Sequence, residues 1–469
     1  MVFSDLKFIY IFLPVFFLLY FLIPRRFSNL FVFFASLVFY TLGTLDRPLY
    51  ALLFLADIFV TFLAGLMIQD HPRHKRLLLV LAAVYNFGLL FAFKYQGFIC
   101  SGINSLLPEN MQIPLLNLVL PVGISFYTFQ AMSYVADVYR GNIRAERSFV
   151  DYGAYISMFP QLVAGPIVTY PDIRRELKRR TFSLDNFSQG LKLFAVGLGY
   201  KVIIANNIGG MWRDVTGIGF DSLSTPYAWL AAIAYSLQLY FDFFGYSLMA
   251  KGMGRMMGFT IPDNFNDPYI SVSMTEFWRR WHMTLSSWFR DYVYIPLGGS
   301  RCGRMRTFFN LLVVWLLTGL WHGADWNFVM WGIMFAALLI AEKTLLLGFI
   351  KKHRAIGHIY TLFFVMLCFI MFDASGVKEG FETIAALFGA NAADNTEALY
   401  YLRSYAVPLT VAALGATPLP KRIKAKLEAT RVGGAIMAIA EPVALAALLC
   451  LCTAYLIDGS FNPFLYFRF

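Results

Sequence analysis

Apolar residues run through this chain in long, nearly uninterrupted windows, each closed by a short basic or turn-rich segment. Residues 8–24, 77–93 and 227–250 carry at most one charge apiece and approach or reach the ~20 residues that cross a bilayer. Such windows recur along the whole length, and no separate soluble domain is visible between them. The pattern predicts an all-α, polytopic integral membrane protein with about 11–12 transmembrane helices, forming one polytopic domain over residues 1–469. The first run lacks a small-residue cleavage site, ends at Arg25-Arg26 and is followed at once by a second, so it reads as a retained span and not a signal peptide.

Lys and Arg gather on the cytoplasmic side of short loops, which lets the chain be walked by charge. Arg25-Arg26 and HPRHKR (71–76) lie inside, and the N-terminus starts outside. A span near 115–136 returns to an inner loop with Arg140, Arg144 and Arg147. The next apolar stretch, DYGAYISMFPQLVAGPIV (151–168), cannot cross fully, because RRELKRR (174–180) would then lie outside. With Pro160, Gly165 and Pro166 breaking it, it reads as re-entrant, a form tolerated where protein or a water-filled cavity covers the backbone. Further on, 251–307 is expected as a long basic cytoplasmic segment, and the turn near His322 as an outer one. His282 thus falls toward the inner face and His322 toward the outer.

Composition agrees with a membrane protein: of 469 residues 59% are hydrophobic and 14% charged, against about a quarter charged in soluble domains. The net charge of +11 sits in short clusters between apolar runs, without the basic domain or aromatic sheet that nucleic acid would need. Five cysteines form no CxxC pair, and His71, His74, His353 and His358 read as solvated loop residues, so no metal site or disulfide framework is indicated.

One segment departs from the span pattern. In TEFWRRWHMTLSSWFRDY (275–292), Trp278, Trp281, Leu285, Trp288 and Tyr292 recur every three or four residues, while Arg279, His282, Ser286 and Arg290 keep the same rhythm on the other face. This predicts an amphipathic interfacial helix. His282 is then either an occupant of its polar side or a member of a site. His322, in LTGLWHGADWNF (317–328), differs in that an ionisable group at membrane depth is costly unless a cavity or partner receives it, which makes it a functional candidate. An imidazole is also the side chain best poised to take a proton from a hydroxyl near neutral pH. Asp325 and Asn327 stand close enough in sequence to orient it. Of the two acids inside spans, Asp57 reads as locally paired, and Asp242 as either paired or lining a polar path.

The stretches LPVGISFYTFQAMSYVADVYRG (120–141), FPQLVAGPI (159–167), QLYFDFFGYSLMAKGMGRMMGF (238–259), TEFWRRWHMTLSSWFRDYVYIPLGGSR (275–301), LTGLWHGADWNFVMWG (317–332) and the terminal NPFLYFRF together resemble the membrane-bound O-acyltransferase family, and within it the bacterial alginate O-acetylation branch. The core motifs span 115–345. The resemblance implies re-entrant and interfacial helices around an acyl-transfer tunnel. It implies an inner-membrane enzyme of bacteria that takes an acyl group from a cytoplasmic thioester, acetyl-CoA or an acyl carrier, and delivers it to hydroxyls of an extracytoplasmic polysaccharide. No cofactor is held permanently, and the partners implied are the lipid bilayer, the polysaccharide, an extracytoplasmic acetyltransferase and a cytoplasmic acyl carrier. His322 and His282 fall on the family's catalytic histidines, with His282 on the inner side of the path and Asp242, Trp278, Ser286, Arg290, Trp321, Asp325 and Asn327 as path candidates. Phe244 and Leu248 stand where the branch often has Ser and Asp, which weakens a substrate role around Asp242. The arginines at 279, 280, 290, 301, 304 and 306 suit the phosphates of a thioester donor and equally follow the positive-inside rule. Two alternatives stand beside acetyl transfer. One is D-alanyl transfer to teichoic acid; the other is a transporter of polysaccharide or lipid-linked sugar, against which no internal repeat is found.

Overall fold

The computed structural model describes residues 2–116, 118–163, 165–219, 223–389 and 396–459; the terminal NPFLYFRF motif lies outside them. Among the described residues there is no strand, and helices joined by short loops make up the chain. A chain of this hydropathy has no other open choice, because a bilayer offers nothing to bond a free backbone N–H or C=O. Among the described residues seven helical stretches are long and apolar enough to cross a membrane: Arg25–Gly43, Leu49–Asp70, Lys75–Asn104, Leu184–Ile218, Trp326–Lys352, Arg354–Asp373 and Arg431–Asp458. The protein is a multi-pass membrane protein. Beyond these seven stretches, Phe8–Leu22 and Ala406–Gly415 are apolar but shorter, and helices of 17, 32 and 19 residues lie at 124–140, 225–256 and 304–322.

Two compact units make up the chain: residues 1–191 with 250–262, and residues 192–249 with 263–469. In the first, α1 (Ser28–Gly43), α2 (Leu49–Asp70) and α4 (Ile124–Arg140) pack on the first of two short helices, α5 (Phe149–Ser157) and α6 (Phe159–Leu162), and α3 (Lys75–Leu90) packs on α2 and α4. Ser148 caps α5 by accepting the Asp151 N–H, and Pro160 stands in the first turn of α6. At nine and four residues neither can span. Lys178, beyond this stretch, pairs with Glu146 at 2.9 Å and Asp151 at 2.6 Å, both at its start. The two ends of the stretch therefore lie together.

The second unit is built on α7 (Thr225–Met256, of which 225–249 belong to it), α8 (Met274–Trp278), α9 (Met283–Phe289), α10 (Arg304–His322), α11 (Trp326–Ala341) and α12 (Arg354–Asp373). Its core is aromatic. Trp278 meets Trp315 at 4.5 Å and Phe335 at 4.9 Å between ring centroids, and Trp281 meets Phe265 and Phe369 at 5.1 Å each. Pairs of this kind stabilise by about 0.5–1.5 kcal/mol beyond the area they bury.

The amphipathic reading of 275–292 is corrected here. The segment is not one interfacial helix but α8 and α9, separated by a turn at Trp281 and His282, and Trp278, Trp281 and Trp288 are all buried in protein. Nor is 251–307 a cytoplasmic loop throughout, since Phe265, Phe277 and Trp281 belong to the aromatic core of this unit.

Candidate active site

α10 ends at His322, and α11 starts four residues later under an N-cap from Asp325, whose carboxylate accepts the Trp326 N–H. Glycines let the two helices pack closely, as small residues do between membrane helices. A Cβ on Gly319 would lie 2.3 Å from the Phe328 carbonyl oxygen, and one on Gly332 2.4 Å from that of Trp315. At Gly323, next to the histidine, a Cβ would come within 2.0 Å of the Phe328 ring. The glycine after the histidine is thus required for room: its backbone is extended, at φ −157° and ψ 155°, and any side chain there would meet that ring. His322 is 7% exposed, with the rings of Trp321, Trp331 and Phe372 at 5.0, 5.1 and 5.1 Å. Asn327 secures the Phe372 wall, its amide donating to the carbonyls of Phe372 at 3.1 Å and Ala374 at 2.7 Å.

His282 sits in a different kind of setting. Its backbone is left-handed, at φ 43° and ψ 53°, a region that costs a non-glycine residue of order 1–3 kcal/mol and persists where surroundings enforce it. The enforcement is visible. Residues 264–266 run beside 280–283, with the Asn266 N–H donating to the Arg280 carbonyl at 2.9 Å and the Met283 N–H to that of Asn264 at 3.0 Å. The buried Glu342 carboxylate accepts the N–H groups of Met274 and Thr275 and so fixes the start of α8. The His282 ring lies against Phe243 at 4.7 Å, with Nδ1 3.1 Å from Asn264 Oδ1 and Nε2 buried and bonded to no group among the described residues. Burial pushes the imidazole down to about 3, so it is neutral at physiological pH. A buried acceptor left unmatched costs about 1–3 kcal/mol, a cost with a purpose where a substrate group is to fill it.

The two histidines share one wall. Trp321 lies 6.0 Å from the His282 ring and 5.0 Å from the His322 ring, so the sum of these separations bounds the distance between the imidazoles. The charge walk sets them toward opposite faces of the membrane; in the structure both lie close beside a single indole. Positive-inside counting locates where a chain crosses the membrane, and it misses a loop that folds back into the helices.

The other candidates separate. Trp321 lies next to both imidazoles, and Trp278 is linked to His322 through Trp331, 5.8 Å from Trp278. Asp242 is the buried counter-ion of Lys201, at 2.7 Å, and Lys201 also donates to Asn206 at 2.8 Å; this makes it an internal ion pair and not an open path. Arg290 is exposed and paired with Asp291, whose carboxylate holds the guanidinium above its usual range, and Arg280 is engaged by Glu276. Ser286 enters only through its N–H, donated to the His282 carbonyl at 3.1 Å. Asp325 is exposed and spent on its cap, and Asn327 supports Phe372; neither is bonded to the imidazole they were expected to orient. The sequence reading missed Asn264, Phe243, Trp331, Phe372, Glu342 and Lys201. Only Lys201 announced itself, as a lone cation inside an apolar run that must find a partner.

A cavity of about 820 Å³ lies elsewhere in this unit, lined by Trp229, Leu237, Tyr269, His358, Phe363 and Met366 among others. Neither His282 nor His322 lines it.

With a buried pair of imidazoles in a multi-pass helical unit, comparison with known proteins becomes informative. The family model for membrane-bound O-acyltransferases matches residues 142–376, and the chain belongs to that family. It is an O-acyltransferase, which removes the transporter alternative. It is similar to the probable alginate O-acetylase AlgI of Azotobacter vinelandii, with 37% identity covering all of both chains. It also resembles the peptidoglycan O-acetyltransferase of Helicobacter pylori, 34% identical over 83% of this chain and 80% of the relative, and the teichoic acid D-alanyltransferase of Bacillus subtilis, 27% identical over 60% and 79%.

Proposed function

We propose that this protein moves an acetyl group from a cytoplasmic thioester, acetyl-CoA or an acyl carrier, to hydroxyls of an extracytoplasmic polysaccharide, directly or through an extracytoplasmic acetyltransferase, in the inner membrane of a bacterium. His322 is the general base. Its imidazole takes the proton of the accepting hydroxyl while the oxygen bonds to the thioester carbonyl carbon; collapse breaks the C–S bond and the proton passes to the leaving thiolate. His282 supplies a second proton-accepting nitrogen on the donor side of Trp321. The exposed arginines at 279, 301, 304 and 306 suit the donor's phosphates.

The observation that carries this reading is the pair of buried imidazoles beside one indole, where low dielectric strengthens each proton contact and water is kept from the thioester. Acetyl over D-alanyl transfer is favoured by the full-length match to the alginate relative, against 27% identity over part of the chain for the D-alanyl one. The test counts acetate and D-alanine esters separately on surface polymers of cells carrying the native chain or His322→Ala at equal membrane levels. Loss of acetate alone is expected. Loss of D-alanine alone reassigns the donor group, and unchanged esters refute the role of His322.

A further inference from the structure

The amide of Asn264 faces three groups at once. Its Oδ1 is 3.3 Å from the Thr284 N–H, 2.9 Å from Thr284 Oγ1 and 3.1 Å from His282 Nδ1, while Nδ2 donates to Ser247 Oγ at 3.3 Å. The backbone N–H of Thr284 can only donate, so the amide atom facing it has to be the carbonyl oxygen. A carbonyl oxygen can only accept, so His282 Nδ1 has to carry the proton that points at it. In a neutral imidazole the other nitrogen then holds the lone pair. That nitrogen, Nε2, is the buried atom with no partner among the described residues.

We propose that Asn264 is a positioning residue which fixes His282 as the Nδ1–H tautomer and aims Nε2 as the proton-accepting nitrogen of the acyl-transfer site. The inference rests on the reading of His282 as part of the reaction path. Asn264 touches no reacting atom; it acts through the ring, as the outer partner of a metal-bound or catalytic histidine selects which nitrogen works. Asn264 is itself oriented by Thr284 on α9 and Ser247 on α7, so two helices set one tautomer. The left-handed backbone of His282 serves the same end, placing Nδ1 over the 264–266 segment instead of along a continuous helix.

The test has three readouts on purified, detergent-solubilised full-length protein. First, 15N-histidine NMR, with the His282 signals assigned by their loss in His282→Gln, is expected to show Nδ1 protonated and Nε2 bare in the native chain, and a mixture in Asn264→Ala. A native Nε2–H tautomer overturns the proposal whether or not His282 proves necessary for transfer. Second, Asn264→Asp keeps an acceptor in place but sets a carboxylate against Nδ1–H, so the acid limb of the rate profile is expected to rise by about 1–3 pH units with alkaline activity largely kept. An unmoved limb, or a loss equal to that of Asn264→Ala at every pH, marks a merely structural role. Third, Asn264→Ala is expected to cost nothing further in a His282→Ala background. Multiplicative losses show that Asn264 does not act through His282, and full activity of His282→Ala refutes the reading of the site itself while leaving the NMR result standing.

Discussion

The two sides of Trp321 are built by opposite means. On the His322 side the imidazole is held by rings and by the close packing of α10 and α11 over three glycines. Around His282 the ring is held by a hydrogen bond to Asn264, a strained backbone and the edge of Phe243; the buried Lys201–Asp242 pair lies one residue from Phe243 in the chain. An apolar cage fixes where a ring sits without choosing which nitrogen is protonated. A polar strut chooses the nitrogen and depends on a network that must be satisfied throughout. The difference suits a base that must take and release a proton on one side and a constant neutral acceptor on the other.

The largest effect is expected from His322→Ala, a loss of ~100- to 10,000-fold in acetyl transfer with an unchanged thermal midpoint in detergent, because a cage of rings tolerates a smaller occupant. A variant that unfolds instead makes the histidine part of the packing and breaks the contrast. Next comes the ion pair. Removing one partner of a buried pair leaves a charge uncompensated and costs about 3–5 kcal/mol, whereas replacing both with apolar residues is often near neutral. Lys201→Met is therefore expected to be poorly folded, and Lys201→Met with Asp242→Leu to recover most stability and transfer. If the double variant folds yet transfers nothing, Asp242 belongs to the path after all.

On the cage side, Gly323→Ala forces a Cβ against the Phe328 ring at 2.0 Å. Overpacking of this kind costs about 1–3 kcal/mol, and a shift of ~1 Å in His322 can cost about 100-fold in rate. A lower thermal midpoint together with reduced turnover is expected, and Phe328→Leu should relieve both. Lack of relief would place the role of Gly323 in its backbone rather than in the room it leaves.

How much of this was legible in the sequence follows from the same contrast. The histidine, its glycine and Trp321 were readable, because an imidazole in an apolar run and a short turn before the next helix are local signals; Trp331 and Phe372, which complete the cage from α11 and α12, were not. The polar side was not. Asn264 meets His282 only because 264–266 doubles back on 280–283, a pairing eighteen residues apart with no periodicity to betray it. The tryptophan rhythm of 275–292 was real, but a three-four spacing looks the same whether the rings meet lipid headgroups or the rings of α10 and α11. Nothing in that rhythm encodes the left-handed break at His282. The break in 151–168 was inferred from charge counting, and the helices of nine and four residues there are too short to cross; the depth of a folded-back loop is outside the reach of such counting.

The gentlest test sharpens the polar side alone. His282 titrates near 6.5 when unfolded and is held at about 3 by burial in the folded protein. Between those values the unfolded chain binds the extra proton, so folding stability falls as pH falls through that window. At 1.36 kcal/mol per unit, lowering the pH from 7 to 5 is expected to withdraw about 2 kcal/mol, measured as a decline in detergent thermal midpoint. His282→Gln should remove that part of the decline and keep the rest. An identical decline in the variant would mean that water reaches the ring in the native state and that the strut does not keep it neutral, leaving the two sides of Trp321 alike in chemistry and different only in packing.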